Sequence, residues 1–398
     1  MIINGIYLIW KNIWAHKRIY FFSFMQTLII LLLFNVVLSI IQNTRLILDF
    51  FEGADFARAI YASNVPTSQV IDNPMAVISL LPEIIDISVD EIGLIAVAGI
   101  ETTRSSANLV LYNDRLLRTF SLPLSQGSWL KPSEGNQGPI PAVISHDLSM
   151  FYDVGDVLSA EIVSFISPAS QRVEIEVVGI LSQNSRILSG GYWSTKMSLE
   201  SIYKKLAVKT IILPLDWPQL NELPHLYQEG YFLFVDEEHD LVTTYNTWAE
   251  KLADVVTIIS VEEMARNHID EIRYPLTFYT SILIVIFFLA LAGIGGNNAI
   301  MLMQFAKECS IYFICGCKWS WCVIMLSIQN LLMFIIPMVL ALVLLANSQA
   351  LSNEFMLFNF CNYFFSVILV VFIFVVTSLE PLISLAKKAP VSILRRYD

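Results

Sequence analysis

The sequence predicts an α-helical membrane protein with four transmembrane helices and a large extracytoplasmic α+β domain. Three observations carry this. The 398 residues are 56% hydrophobic and only 15% charged, with a mean hydropathy of +0.62 that soluble globular chains rarely reach. Four long runs are free of charge: Ile19 to Ile41, Tyr274 to Ala306, Trp319 to Asn353, and the stretch between Glu354 and Glu380. Each exceeds the ~20 apolar residues needed to cross about 30 Å of hydrocarbon. Between the first and second runs lie 231 residues, Asn43 to Arg273, of ordinary globular composition. That is enough to build a core of its own.

The first run, "IYFFSFMQTLIILLLFNVVLSII", has the basic flank "AHKR" of a signal peptide, but its apolar part is too long and no A-x-A-like site follows. It reads as an anchor. Before it, "NGIYLIWKNIWAHKR" gathers Ile6, Ile9, Trp10, Ile13 and Trp14 near one helical face beside Lys11, Lys17 and Arg18. This predicts an amphipathic helix at a membrane surface, with tryptophans at headgroup depth. The resulting plan is an amphipathic helix at 1–18 and a first span at 19–42. The outer domain follows at 43–273, the second span at 274–303 and a connecting segment at 304–319. A third span at 320–346, a short loop at 347–354, a fourth span at 355–379 and a tail at 380–398 complete the chain.

Orientation follows from the bases. Four spans put the N-terminal flank, the 304–319 segment and the tail on one side, and these hold Lys11, Lys17, Arg18, Lys307, Lys318, Lys387, Lys388, Arg395 and Arg396. The loop "NSQALSNEF" has none. Both termini are therefore expected in the cytoplasm of a bacterial cell, and the large domain outside the plasma or inner membrane. That domain carries 15 Lys and Arg against 31 Asp and Glu, so the net charge of −11 comes from outside. A solvated surface explains it better than steering of a cationic substrate. No cysteine lies there, so the outer fold stands without disulfides.

Within the outer domain, "NTRLILDFFEGADF" reads as helix, "ARAIYAS" as strand, "PMAVISLLPEI" as helix, and "IIDISVD" and "GLIAVAGIE" as strands. At the far end, "YFLFVDEEHDLVTTYNTWAEKLADVVTIISV" reads strand, helix, strand, with Asp240 placed to cap the helix. Between them, "ANLVLYN", "PIPAVIS", "VLSAEIV" and "RVEIEVVGIL" form a β-rich middle. The expectation is an α/β subdomain built from both ends of the segment, with a β-rich subdomain inserted. "EEMARNHIDEIRYP" is then a helix returning to the membrane.

Nothing supports catalysis. G-x-x-x-x-G-K-[ST], G-x-G-x-x-G after a strand, H-E-x-x-H and G-x-S-x-G are all absent, and the five histidines are dispersed. No cofactor and no metal are expected on this chain. Four of the five cysteines, Cys309, Cys315, Cys317 and Cys322, sit in "KECSIYFICGCKWSWC" at C-x5-C-x-C-x4-C spacing. Structural zinc sites use tighter knuckles on turns. In a membrane helix, thiols behave as small apolar residues, which is the preferred reading here. Glu308 costs ~2.5–3.5 kcal/mol at the bilayer centre, so it belongs at or beyond the surface. "FAKECSIYFIC" then reads as a short helix ended by Gly316, with "CKWSW" opening the next span. Such an element is a docking surface for a cytoplasmic partner.

At this point a family resemblance emerges. The stretch resembles the coupling segment of MacB/FtsX-like (type VII) ABC transporter permeases, with Glu308, Ile311 and Gly316 matching the pattern E-I-G-I-x-[x]-A-L-G-A. The outer segment "LPLSQGSWL…PAVISHDLSMFYDVGDVL…VEIEVVGIL" is similar to the family's core pattern, with Gly127, Gly155, Asp156 and Gly179 at matching positions. The tail "APVSILRRY" is similar to the family's closing x-P-v-x-a-L-R. Two departures stand out: the segment has Lys307 and cysteines where the family is rich in arginine, and Ser128 follows Gly127 in place of arginine.

The resemblance implies a non-catalytic permease subunit whose outer domain has a porter-like α/β subdomain. It implies a separate ABC ATP-binding protein holding ATP and Mg, a second permease subunit, and coupling through Lys307, Glu308, Ile311 and Gly316. An extracytoplasmic adaptor or a substrate peptide is a further partner in such systems, alongside membrane lipid; no nucleic acid is expected. The implied function is export or extraction of a peptide, antimicrobial or other amphipathic substrate. The alternatives are an FtsX-like or lipoprotein-release regulator acting on an envelope partner, and a membrane-anchored sensor. The outer domain is large for the FtsX-like subgroup, and no segment is long enough for a sensor's output domain.

Overall fold

A computed structural model describes residues 10–11, 13–53, 56–64, 92–133, 138–163, 170–183, 185–189, 197–206, 209–220, 227–252, 256–316, 318–348, 360–379 and 383. The chain divides into a helical unit, Met1–Thr44 with Ile272–Asp398, and a β-rich unit, Arg45–Glu271.

Among the described residues, four helices are long and apolar enough to cross a membrane. Helix α1 spans Lys17–Gly53, so the anchor and the helix expected after it are one element of 37 residues. In the β-rich unit come the short helices α2 (Asp114–Thr119) and α3 (Leu199–Ile202) and the longer α4 (Leu241–Leu252). Helix α5, Val261–Ile314, is continuous over 54 residues, or ~81 Å at 1.5 Å per residue. That is far longer than a bilayer core, and it passes through Pro275 without a break. Helices α6 (Trp319–Ser348) and α7 (Phe360–Phe374) follow, the latter ending in a π-helical turn, Val375–Leu379.

Apolar residues of the helical unit, among them Ile30, Leu31, Ile294, Phe334 and Ile373, form one core. Its helices are also tied by polar groups. Asn35 Nδ2 donates to Ser366 Oγ at 2.7 Å and Asn297 Nδ2 to Ser23 Oγ at 2.9 Å. Asn298 Nδ2 donates to Ser378 Oγ at 3.0 Å, inside the π-turn. Gly293 lets α1 come close, because a Cβ there would lie 2.5 Å from Gln26 Nε2. Interhelical bonds of this kind contribute about 1 kcal/mol each in a membrane.

The β-rich unit is built on a ten-stranded sheet ordered β12-β1-β11-β2-β3-β10-β5-β7-β4, with β6 pairing β2 and β7. The strands are β1 (Ala59–Asn64), β2 (Ile92–Thr102), β3 (Ser106–Tyr112), β4 (Leu124–Gly127), β5 (Ile140–Ile144) and β6 (Val157–Val163). They continue with β7 (Ser170–Leu181), β8 (Arg186–Leu188), β9 (Tyr203–Lys205), β10 (Thr210–Pro214), β11 (Tyr227–Phe234) and β12 (Val256–Ser260). A separate two-stranded sheet pairs β8 with β9.

The two ends of the segment do meet: β1 lies between β11 and β12, antiparallel to both. The expected separation into two subdomains is not expressed in the sheet, because β2 pairs β11 on one side and β3 on the other. The packing divides by sheet face instead. One face carries a single core running from Tyr61 and Phe232 through Ile95 and Tyr112 to Val143 and Leu181. The opposite face holds two cores, one around Ala98, Leu109 and Ile175, the other around Ile60, Leu233 and Trp248 of α4. Period-2 alternation along β2 does this, sending Ile95 and Val97 one way and Ala96, Ala98 and Ile100 the other.

The end of α1 is fastened to the first core by aromatics. Phe50 stacks on Tyr203 at 4.1 Å between centroids, and Phe51 and Phe56 meet edge-on and tilted neighbours around it. Phe56 is fully buried. Such a side chain contributes about 1.5–3 kcal/mol by burial alone. Asp240 caps α4 as expected, accepting from Thr243 N at 3.0 Å. The helix expected at "PMAVISLLPEI" and the strand at "IIDISVD" lie outside the described residues.

Candidate functional site

Lys307, Glu308 and Ile311 are not on a separate short helix. They belong to the last turns of α5, which reaches Ile314 unbroken because nothing between Ala306 and Ile314 disfavours helix. Gly316 ends it: its φ is +95°, and Gly316 N–H donates to Phe313 O while Cys315 N–H donates to Ile311 O. This left-handed position favours glycine even though a Cβ there would meet nothing within 4 Å. Phe313 and Trp319 then pack edge to face across the turn, at 6.4 Å between centroids.

The turn presents a distinct surface. Phe305 and Ser310 are buried, Glu308 is half-buried, and Ile311 and Ile314 are exposed at 48% and 69%. The Lys307 side chain lies outside the described residues. An exposed isoleucine pair beside a carboxylate thus stands at a helix end joined to the next helix by the Gly316 turn.

Cys315 is exposed and Cys322 is buried, so these two thiols have different surroundings. The side chains of Cys309 and Cys317 lie outside the described residues. Replacing all four cysteines by serine should leave assembly intact. Metal analysis of the purified wild type checks this; stoichiometric zinc or iron lost in the variant would reverse it.

In the β-rich unit, the glycines picked out from the sequence converge on β7. Gly127 has φ +81° and pairs with Gly179 across β4 and β7. A Cβ on Gly127 would fall 2.2 Å from Val178 O, and one on Gly179 would fall 2.6 Å from Ser128 O. The two strands thus approach too closely for any side chain at either position. Gly155, at φ +97°, donates its N–H to Val177 O at 2.7 Å. Asp156 closes the same turn, its O accepting from Val177 N and its Oδ2 from Asp153 N, both at 2.9 Å. Beyond Gly127 the chain runs along a concavity of about 490 Å³ lined by Trp129, Pro132, Pro141, Glu176 and Trp217.

Sequence reading missed a second cluster. Arg186 of β8 is buried, bonds Tyr203 O at 2.7 Å and lies 3.5 Å from Glu200 Oε1. His268 is fully buried in the same unit, and neither ring nitrogen has a hydrogen-bond partner among the described residues. It lies in the charged stretch before Arg273, ahead of the uncharged run from Tyr274. Burial, then the Arg186 charge, pushes its pKa down to about 4. A base whose folded pKa lies below its unfolded value of ~6.5 is destabilising when protonated, so stability is full above pH 6.5 and falls toward pH 4. The loss is ~1.4 kcal/mol per pH unit at most. Thermal unfolding between pH 7.5 and 4.5 should show this decline, and His268→Leu should flatten it. A slope unchanged in the variant would assign it to other groups.

The polar seam of the helical unit also escaped the sequence reading. Asn35, Asn298, Asn362 and Ser366 interrupt the charge-free runs and are all buried. Asparagines within otherwise apolar spans are the signal that would have found them.

No family model matches the chain, and no curated protein sequence matches it. Solved structures do. The periplasmic region of MacB from Actinobacillus actinomycetemcomitans aligns over 55% of this chain and 96% of its own length, with 13% identity and a TM-score of 0.34. The extracellular domain of the noncanonic ABC-type transporter YknZ from Gram-positive bacteria aligns over 50% of this chain and 99% of its own, with 13% identity and a TM-score of 0.31.

Proposed function

We propose that this chain is the transmembrane subunit of a MacB-like ABC transporter, working with a separate ATP-binding protein and a second permease subunit. It carries no catalytic group of its own in this reading. ATP and Mg sit on the partner, whose cycle moves the β-rich unit outside the membrane to export or extract a peptide or other amphipathic substrate.

The observation that carries the proposal is the continuity of α5. One helix starts directly after β12, passes through a span, and ends at the Gly316 turn with Glu308 and Ile311 on its last turns. The same helix begins in the β-rich unit, where Met264 belongs to the core. Force applied at the turn reaches α6 as well. The resemblance of the Glu308–Gly316 stretch, the Gly127, Gly155 and Gly179 positions and the closing tail supports the same assignment.

The test is affinity purification of the intact chain from its host membrane. An ABC ATP-binding protein should be the stoichiometric companion, and its ATPase rate should depend on this chain. A peptidoglycan hydrolase as the sole stable companion would favour the regulator reading instead. Orientation is checked by cysteine labelling with a membrane-impermeant reagent in a variant stripped of native cysteines. Ser133→Cys or Gln183→Cys should react in intact cells, and Ser392→Cys only after the membrane is opened. Outside labelling at position 392 would invert the topology.

A further inference from the structure

A groove of about 350 Å³ lies in the helical unit, between the N-terminal end of α1 and the middle of α6. Its walls are apolar and include Trp10, Trp14, Phe21, Leu332 and Ile336; Lys17 is its charged residue. The walls are open rather than packed: Trp10, Trp14 and Phe21 are each 59% exposed and Ile336 is 51% exposed. Lys17 Nζ stands 5.8 Å over the Trp14 ring. Among the described residues, neither Lys17 nor its neighbours Lys11 and Arg18 has a carboxylate within ion-pair distance. The described helical unit holds one acid, Glu308 on α5; it lies near the lining residue Tyr20 but is not itself part of the groove wall.

From this juxtaposition we propose that the groove is a binding site for an anionic phospholipid, its acyl chain against the aromatic and aliphatic wall and its phosphate on Lys17. Three arguments select this occupant. The groove belongs to a unit whose helices are long and apolar enough to span a membrane, so hydrocarbon is its medium. Tryptophans and lysine at the end of such a helix occupy headgroup depth, where a phosphate resides. A second copy packing the described part of its helical unit over the groove would offer Lys17 one acid, Glu308, which is half-buried on α5. An anionic lipid fills the groove and supplies the counter-charge together. A zwitterionic lipid brings its own cation and loses that advantage.

The experiment uses the full-length chain in detergent, with phosphatidylglycerol, phosphatidylcholine or inorganic phosphate added. Retained lipid is measured by mass spectrometry and stability by thermal unfolding. Phosphatidylglycerol should be retained and should raise the unfolding midpoint, while phosphatidylcholine and free phosphate do neither. A lysine near a membrane surface is worth about 1 kcal/mol toward anionic lipid, so Lys17→Glu should cut retention about fivefold or more.

Ile336→Trp fills the groove, keeps every charge and should cut retention similarly. Lys251→Glu, a charge change on α4 of the other unit, should have no effect. Equal retention of the two lipids, or full retention in Ile336→Trp, overturns the site. Stabilisation by inorganic phosphate alone would reduce it to a simple anion contact. Disulfide formation between two Phe21→Cys chains, unaffected by phosphatidylglycerol, would show that a second copy covers the groove.

Discussion

Gly127→Ala should lower the thermal midpoint of the β-rich unit by about 6–12 °C, the change expected for roughly 3 kcal/mol in a domain of this size. Two costs combine. An alanine held at φ +81° loses about 1–2 kcal/mol to its own backbone. Its Cβ would also sit 2.2 Å from Val178 O and 2.8 Å from Gly179 Cα, backbone atoms that cannot swing aside. Gly155→Ala separates the two. It has a similar φ of +97° but meets nothing within 4 Å, so only the backbone cost of about 1 kcal/mol, or 2–4 °C, applies. Tryptophan fluorescence follows the transition, since Trp129 lies two residues beyond Gly127. Equal shifts in the two variants would mean that the β4–β7 approach relaxes freely.

These glycines also show why much of the fold was legible. A position that must be glycine marks a turn, and alternating apolar residues such as those of β7 mark a strand. The four long apolar helices were legible for a similar reason, since bilayer thickness sets a length that composition must satisfy.

What could not be read was long-range or continuous. No local signal says that β2 joins β11 to β3 and merges two expected subdomains into one sheet. Nor does Arg273 announce that α5 continues through it, because a helix crosses an interface without needing a change in propensity. The buried pairing of Arg186 with Glu200, fourteen residues apart and beside His268, depends on β8 meeting β9, which sequence periodicity does not encode. The helix end at Gly316 was legible from the glycine itself. The exposure of Ile311 and Ile314 before it required the structure.

Glu308→Ala should reduce transport-coupled ATP hydrolysis about tenfold or more while leaving membrane insertion unchanged. The half-buried carboxylate stands on the last turns of α5, three residues before exposed Ile311 and six before exposed Ile314. A partner that docks there finds an apolar knob and one anionic acceptor. Losing a charge-assisted bond of this kind costs about 1.5–3 kcal/mol, and 1.4 kcal/mol corresponds to a factor of ten.

The turn after it should matter separately. Gly316→Val keeps Glu308 and Ile311 but places a β-branched residue at φ +95°, which L side chains rarely adopt. Because no neighbour obstructs a Cβ at that point, the substitution acts on the direction in which α5 hands over to α6 rather than on packing. The two variants should therefore fail differently. Glu308→Ala should weaken co-purification of the ATP-binding partner. Gly316→Val should retain the partner but hydrolyse ATP without moving substrate. Wild-type docking and coupled turnover in both, at matched expression, would remove the α5 terminus from the mechanism.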